Sequence, residues 1–267
     1  MEFIVYIILL LVSGCLGGLM AGMLGVGGGV ILTPIQYFLL TAYGVDPSTS
    51  LTVSFATSLA VICVTMINGT YHQYRNGYLS FFCLKEMMLL GFIGAVGGAF
   101  ISTRLDVSIL RVLFGIVCLF SAVNMIFSRT SDDSTPSENV SLHILLGLIG
   151  GLLCGLMGVG GGVIMIPFLT VVLKYPTHRA IATSSATIIA TTLGGLIAYI
   201  VLGWNVTNLP AYSLGYVNLL QFFFLTLTST LVAGYAARLS RNVDSSKLKF
   251  LQVCIVLFIA FKMMGIV

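Results

Sequence analysis

The sequence predicts an all-α, polytopic membrane protein of two homologous halves, arranged as inverted repeats, with broken or re-entrant helices at paired GVGGG motifs. Three observations predict it. The composition is 58% hydrophobic and only 7% Asp, Glu, Lys and Arg, with a mean hydropathy of +1.10. A soluble domain carries roughly 25% charged residues, and a chain so poor in charge could not cover a water-facing surface. Charge is missing altogether from Phe3 to Val45, from Ile144 to Leu173 and from Ala180 to Ala237. Each gap exceeds the roughly 20 apolar residues that one spanning helix needs, and none alternates polar with apolar residues as a barrel strand would. The chain also repeats itself. Residues 17–34, GGLMAGMLGVGGGVILTP, match residues 150–167, GGLLCGLMGVGGGVIMIP, at 12 of 18 positions.

Two further matches follow in the same order. FATSLAVICVT at 55–65 aligns with IATSSATIIAT at 181–191. Gly77-Tyr78 and Asp106-x-Ser108-x-Leu110 align with Gly215-Tyr216 and Asp244-x-Ser246-x-Leu248. The expected organisation is a first membrane repeat over 1–127, a polar linker over 128–141 and a second repeat over 142–267. The linker, SRTSDDSTPSENVS, breaks the apolar pattern with three acids and Pro136.

Taken along the chain, the first half divides into segments at about 3–24, 29–42, 50–71, 78–103 and 107–127. The second half divides at about 142–158, 162–174, 180–203, 214–240 and 248–266. The second segment of each half is too short to span at about 1.5 Å per residue. It follows a run of glycines, and Pro34 or Pro167 disturbs it further. Glu2 stands where a basic leader would begin, and no small-residue cleavage site follows, so 3–24 is read as the first helix. Arg238, Arg241, Lys247 and Lys249, with Lys174 and Arg179, put two loops in the cytoplasm and both termini outside. Charge alone leaves parallel and inverted halves tied. The uneven number of crossings per half favours inversion, as does analogy with secondary transporters. The six cysteines lie in apolar segments without a C-x-x-C pair and read as packing residues.

The candidate site rests on two constellations. A helix broken at membrane depth survives only where it is buried or lines a cavity. Its freed N–H groups and positive dipole end then form an anion site without a charged side chain, and glycine lets a ligand approach the backbone closely. Gly27, Gly28 and Gly29, with Gly160, Gly161 and Gly162, are therefore candidate substrate contacts. The upstream glycines, Gly14, Gly18 and Gly22 with Gly147, Gly151 and Gly155, recur every fourth residue and read as helix packing. The second constellation is the hydroxyls of Thr57, Ser58, Thr183 and Ser184 in the repeated Ala-Thr-Ser. They could donate to an anion, or could bond back to carbonyls of their own helices. Gln36 and Asn68 are plausible liners. Lys85 and Glu86 fall about eight residues into a spanning segment and read as snorkelling or mutually paired. Lys262 and His143 are expected to reach the interface, and Arg75 to be a solvated loop charge.

Enzyme signatures are missing. No His/Cys cluster has metal spacing, no H-E-x-x-H or G-x-S-x-G occurs, and no Lys-Ser or Lys-Thr follows the glycine run. No catalytic residue, metal or cofactor is expected. With a net charge of +4 but no basic cluster interleaved with aromatics, nucleic acid is not an expected partner. The expected partners are the lipid bilayer and a small anionic substrate, with room left for a homo-oligomer.

The sequences GMLGVGGGVILTP and GLMGVGGGVIMIP, each followed by an Ala-Thr-Ser segment, resemble the TauE/SafE sulfite exporter family, also called the four-toluene sulfonate uptake permease family. The resemblance covers essentially the whole chain. It implies a multi-pass transporter in a prokaryotic-type plasma membrane, moving small sulfur-containing anions such as sulfonate, sulfoacetate or sulfite by alternating access. Alternatives from other classes stay open: an intramembrane enzyme or assembly factor handling a sulfur metabolite, or a carrier for a different small anion.

Overall fold

The structure is a computed structural model that describes residues 3–24, 27–75, 77–127, 136–239 and 245–266. The described residues fold into α1 (Phe3–Leu24), α2 (Gly29–Ala42), α3 (Pro47–Arg75), α4 (Leu84–Ser102) and α5 (Val107–Phe127), then α6 (Val140–Met157), α7 (Gly162–Pro167), α8 (Thr177–Leu202), α9 (Leu219–Leu239) and α10 (Ser245–Met263). A two-stranded hairpin, β1 (Ser213–Leu214) with β2 (Val217–Asn218), precedes α9. By length and composition α1, α3, α4, α5, α6, α8 and α9 can cross a membrane. The sequence expects a further span over 248–266. α10, at Ser245–Met263, covers most of that stretch.

Short polar residues cap α3, α6 and α9. The Asp46 carboxylate accepts the Ser48 and Thr49 N–H groups ahead of α3. The Asn139 side chain accepts Leu142 N–H at α6, and the Asn218 side chain accepts Gln221 N–H at α9. Both short helices carry a proline. α7 runs into a π-helical turn, Phe168–Val172, directly after Pro167. Proline gives no N–H to the preceding turn, and the Thr170 hydroxyl, 3.0 Å from Ile166 O and 3.1 Å from Pro167 O, takes up carbonyls there.

α3 is the axis of the molecule. Its apolar window is 89% buried, against 22% for α9, so α3 sits inside and α9 faces outward. α3 packs on α2, α8 and α9; α1 lies along α9, α4 along α6 and α8, and α5 along α10. The glycine stripes explain the close seams. A β-carbon on Gly18 or Gly22 would strike the Ser229 and Ala233 carbonyls of α9, and one on Gly151 or Gly155 would strike the Gly91 and Ala95 carbonyls of α4. In lipid, where no hydrophobic drive pulls helices together, such backbone approach is what association uses.

Two local expectations change. Lys85 and Glu86 are not eight residues into a span: α4 begins at Leu84, so both stand exposed in its first turn. The segment expected as a helix from 214 instead folds as the hairpin. Gly215 turns it with φ +55, and Asn218 is buried to 3% exposure before α9 starts.

Candidate functional site

The two glycine runs break the helices and bring the breaks together. α1 ends at Leu24 and α2 starts at Gly29, with Gly27 and Gly28 at φ +90° and +71°. α6 ends at Met157 and α7 starts at Gly162, with Gly160 and Gly161 at +83° and +74°. That region of backbone space is open to glycine and costly for other residues. All six candidate glycines are buried. A β-carbon on Gly27 would lie 2.8 Å from Ile62 of α3, and one on Gly160 would lie 3.2 Å from the same side chain. One on Gly29 would lie 3.0 Å from both the Gly158 carbonyl and the Val159 Cα. Thus Ile62 is wedged between the two breaks, and the breaks touch each other. The N-termini of α2 and α7, the ends with unpaired N–H groups, meet in the centre of the protein.

The four candidate hydroxyls have different partners. Thr57, Ser58, Thr183 and Ser184 are all fully buried. Thr57 Oγ1 accepts the Asn218 backbone N–H at 3.0 Å, which anchors the hairpin to α3. Ser58 Oγ lies 2.9 Å from Thr33 Oγ1 and 2.8 Å from the Gln36 amide nitrogen, joining α3 to α2. Ser184 donates to Ile181 O at 3.1 Å within α8. Thr183 Oγ1 is buried and unpartnered. The sequence places Gln36 only as a plausible liner and passes over Thr33. Their signal is that they stand three residues apart, on one face of a short uncharged helix. Asn68 is exposed near the end of α3.

Fixed charge stays away. Among the described residues no Asp, Glu, Lys or Arg is buried. Arg75 is exposed, 5.9 Å from the Tyr71 ring, and Lys262 lies 4.8 Å from the Phe38 ring. His143 does not reach the interface as expected. It is fully buried, with Nδ1 2.7 Å from Asn139 O and Nε2 3.0 Å from the Tyr175 hydroxyl. Burial raises the Tyr175 phenol above its ordinary pKa, against a Ser80 hydrogen bond that lowers it, so this partner stays neutral. No cluster of three His, Cys, Asp or Glu suited to a metal occurs among the described residues. What remains is a neutral, hydroxyl-lined centre flanked by two helix starts.

Comparison with known proteins places the whole chain. The family model described as sulfite exporter TauE/SafE matches residues 10–263. A "probable membrane transporter protein" of Methanocaldococcus jannaschii is 33% identical over 82% of this chain and 80% of its own length. Another of that description from Haemophilus influenzae is 30% identical over 91% of this chain and 92% of its own. YunE of Bacillus subtilis, also a "probable membrane transporter protein", is 26% identical over 76% of this chain and 80% of its own. No solved structure matches.

Proposed function

Because the chain belongs to the sulfite exporter TauE/SafE family, whose curated relatives are described as membrane transporters, we propose that it carries small sulfur-containing anions across a prokaryotic plasma membrane by alternating access. Sulfonate, sulfoacetate and sulfite are the cargoes in view. One observation supports this most: two helix starts with left-handed glycines, Gly27–Gly28 and Gly160–Gly161, converge on a buried and uncharged point. Helix N-termini supply partial positive charge, and Thr183 and Ser184 add hydroxyls that are neutral when no anion is bound. A permanently charged side chain there would stay buried whenever no anion is bound, which is expensive. Gly29 and Gly162 start the two short helices, and Thr57 and Ser58 contribute hydroxyls from α3.

The division into repeats over 1–127 and 142–267, joined by the linker 128–141, supplies the moving parts. The packing pairs correspond when the repeats are exchanged. α1 on α9 corresponds to α4 on α6, and α2 on α3 corresponds to α7 on α8. Inverted repeats with such a correspondence favour two related conformations, open to opposite sides. No step of bond making is assigned, and the chain is read as a carrier rather than an enzyme. Purified protein in liposomes should take up labelled sulfoacetate and labelled sulfite saturably, each inhibiting the other. Absence of uptake for both, from correctly folded and inserted protein, would remove sulfur anions as cargo.

A further inference from the structure

Within that lining Ser58 stands apart, because it belongs to a closed cluster of oxygens. Thr33 and Gln36 of α2, Ser58 of α3 and the carbonyl of Gly158 share it, and all three side chains are fully buried. Thr33 has a single hydroxyl proton and two acceptors in reach, Ser58 Oγ at 2.9 Å and Gly158 O at 3.3 Å. The Thr33 hydroxyl donates to Ser58 Oγ, and the Gln36 amide, 2.8 Å away, donates to Ser58 as well. The Gly158 carbonyl can only accept, and Gln36 Oε1 is buried with no donor. The four oxygens therefore hold more lone pairs than the two hydroxyl protons and the single uncommitted amide N–H can fill.

A cluster rich in oxygen lone pairs and poor in protons is a poor host for an anion and a good one for a cation. Its surroundings agree. Gly158 is the C-cap of α6, so its carbonyl lies at the negative end of that helix. Pro34 gives no N–H to the Val30 carbonyl one turn earlier in α2. No carboxylate is buried among the described residues, and a divalent ion would call for one. We propose that Thr33 Oγ1, Ser58 Oγ, Gln36 Oε1 and the Gly158 carbonyl form a site for one dehydrated monovalent cation of the sodium or potassium class.

The second repeat does not reproduce the cluster. Moving 133 residues along the repeat, the positions of Thr33 and Gln36 are taken by Ile166 and Leu169, and Ser184 bonds within its own helix. The ion would sit beside the converging helix starts and offset the charge of an anion there. That coupling role rests on the proposed anion cargo, whereas cation binding itself does not.

The test reads binding without any anion substrate. Full-length protein is melted in a titration of NaCl or KCl against choline chloride at constant ionic strength. Wild type should show a saturable stabilisation by one of the two ions. Gln36→Leu should shift its midpoint at least about tenfold, the size of one lost polar contact to a charge. No ion-specific stabilisation in wild type, or an unchanged midpoint in Gln36→Leu, overturns the site. Should Gln36→Leu not survive purification, Gln36→Glu decides: a carboxylate at that position should tighten the midpoint, and an unchanged one overturns the proposal. If the ion binds as expected while neither sulfoacetate nor sulfite is taken up, the cargo fails and the cation site stands.

Discussion

Thr57 and Thr183 occupy matching places in the repeated Ala-Thr-Ser, yet only one of them has a structural partner. Thr57 accepts the Asn218 N–H, so Thr57→Val would leave a buried backbone donor unpaired. That should lower stability by about 1–3 kcal/mol. Thr183 Oγ1 has no partner to lose, so Thr183→Val should leave the melting temperature unchanged or slightly higher. Its effect should fall on the anion, weakening affinity by roughly 5- to 150-fold if one oxygen loses a donor worth about 1–3 kcal/mol. Melting curves and substrate titrations on the two variants separate these outcomes. Equal losses of stability in both, or unchanged affinity in Thr183→Val, would take Thr183 out of the site. The sequence could not make this distinction. Repetition makes the two threonines look alike, and only the hairpin, which approaches α3 from far along the chain, separates them.

At the scale of elements, the long apolar runs made the spanning helices legible, because covering a backbone in lipid leaves few alternatives. The breaks were legible too, since three successive glycines are a poor helix. The starts of helices were not. Tyr78 to Cys83 is apolar enough to read as helix, which pushed Lys85 and Glu86 inward on paper, whereas α4 begins only at Leu84. Gly215-Tyr216, matched to Gly77-Tyr78 in the repeat, forms the turn of the hairpin. The breaks themselves give a graded prediction. A left-handed conformation costs a residue with a β-carbon about 1–2 kcal/mol, and this applies at both Gly28 and Gly161. A β-carbon at Gly28 would in addition overlap the Gly17 carbonyl, whereas at Gly161 it would lie 2.9 Å from the Gly150 carbonyl. Gly28→Ala should therefore melt lower than Gly161→Ala, and Gly28→Leu and Gly161→Leu should both lose transport while still inserting. Normal uptake by both leucine variants would place the site elsewhere.

For the molecule as a whole, the distribution of charge decides how transport can be energised. A proton-coupled carrier needs a titratable group that alternates between the two sides inside the membrane. Among the described residues no carboxylate, lysine or arginine is buried. His143 is buried, but Asn139 O and the Tyr175 hydroxyl hold its two ring nitrogens, so its place is in packing α6 against the loop before α8. Glu86, the one acid that the sequence set within a span, is exposed at the start of α4. Among the described residues, a side-chain proton relay of acids, lysines or arginines through the centre therefore has no members. An imposed pH gradient alone should not drive concentrative uptake of a sulfonate into liposomes, and Glu86→Gln should leave uptake unchanged. A sulfonate is the right probe because it stays ionised throughout the assay range, whereas sulfite could carry a proton itself. A sodium or potassium gradient should drive accumulation if the Thr33–Gln36–Ser58 cluster couples, and neither gradient should if transport is uniport. Accumulation driven by pH alone and stopped by Glu86→Gln would make Glu86 the proton carrier and would require α4 to move it into the membrane during the cycle.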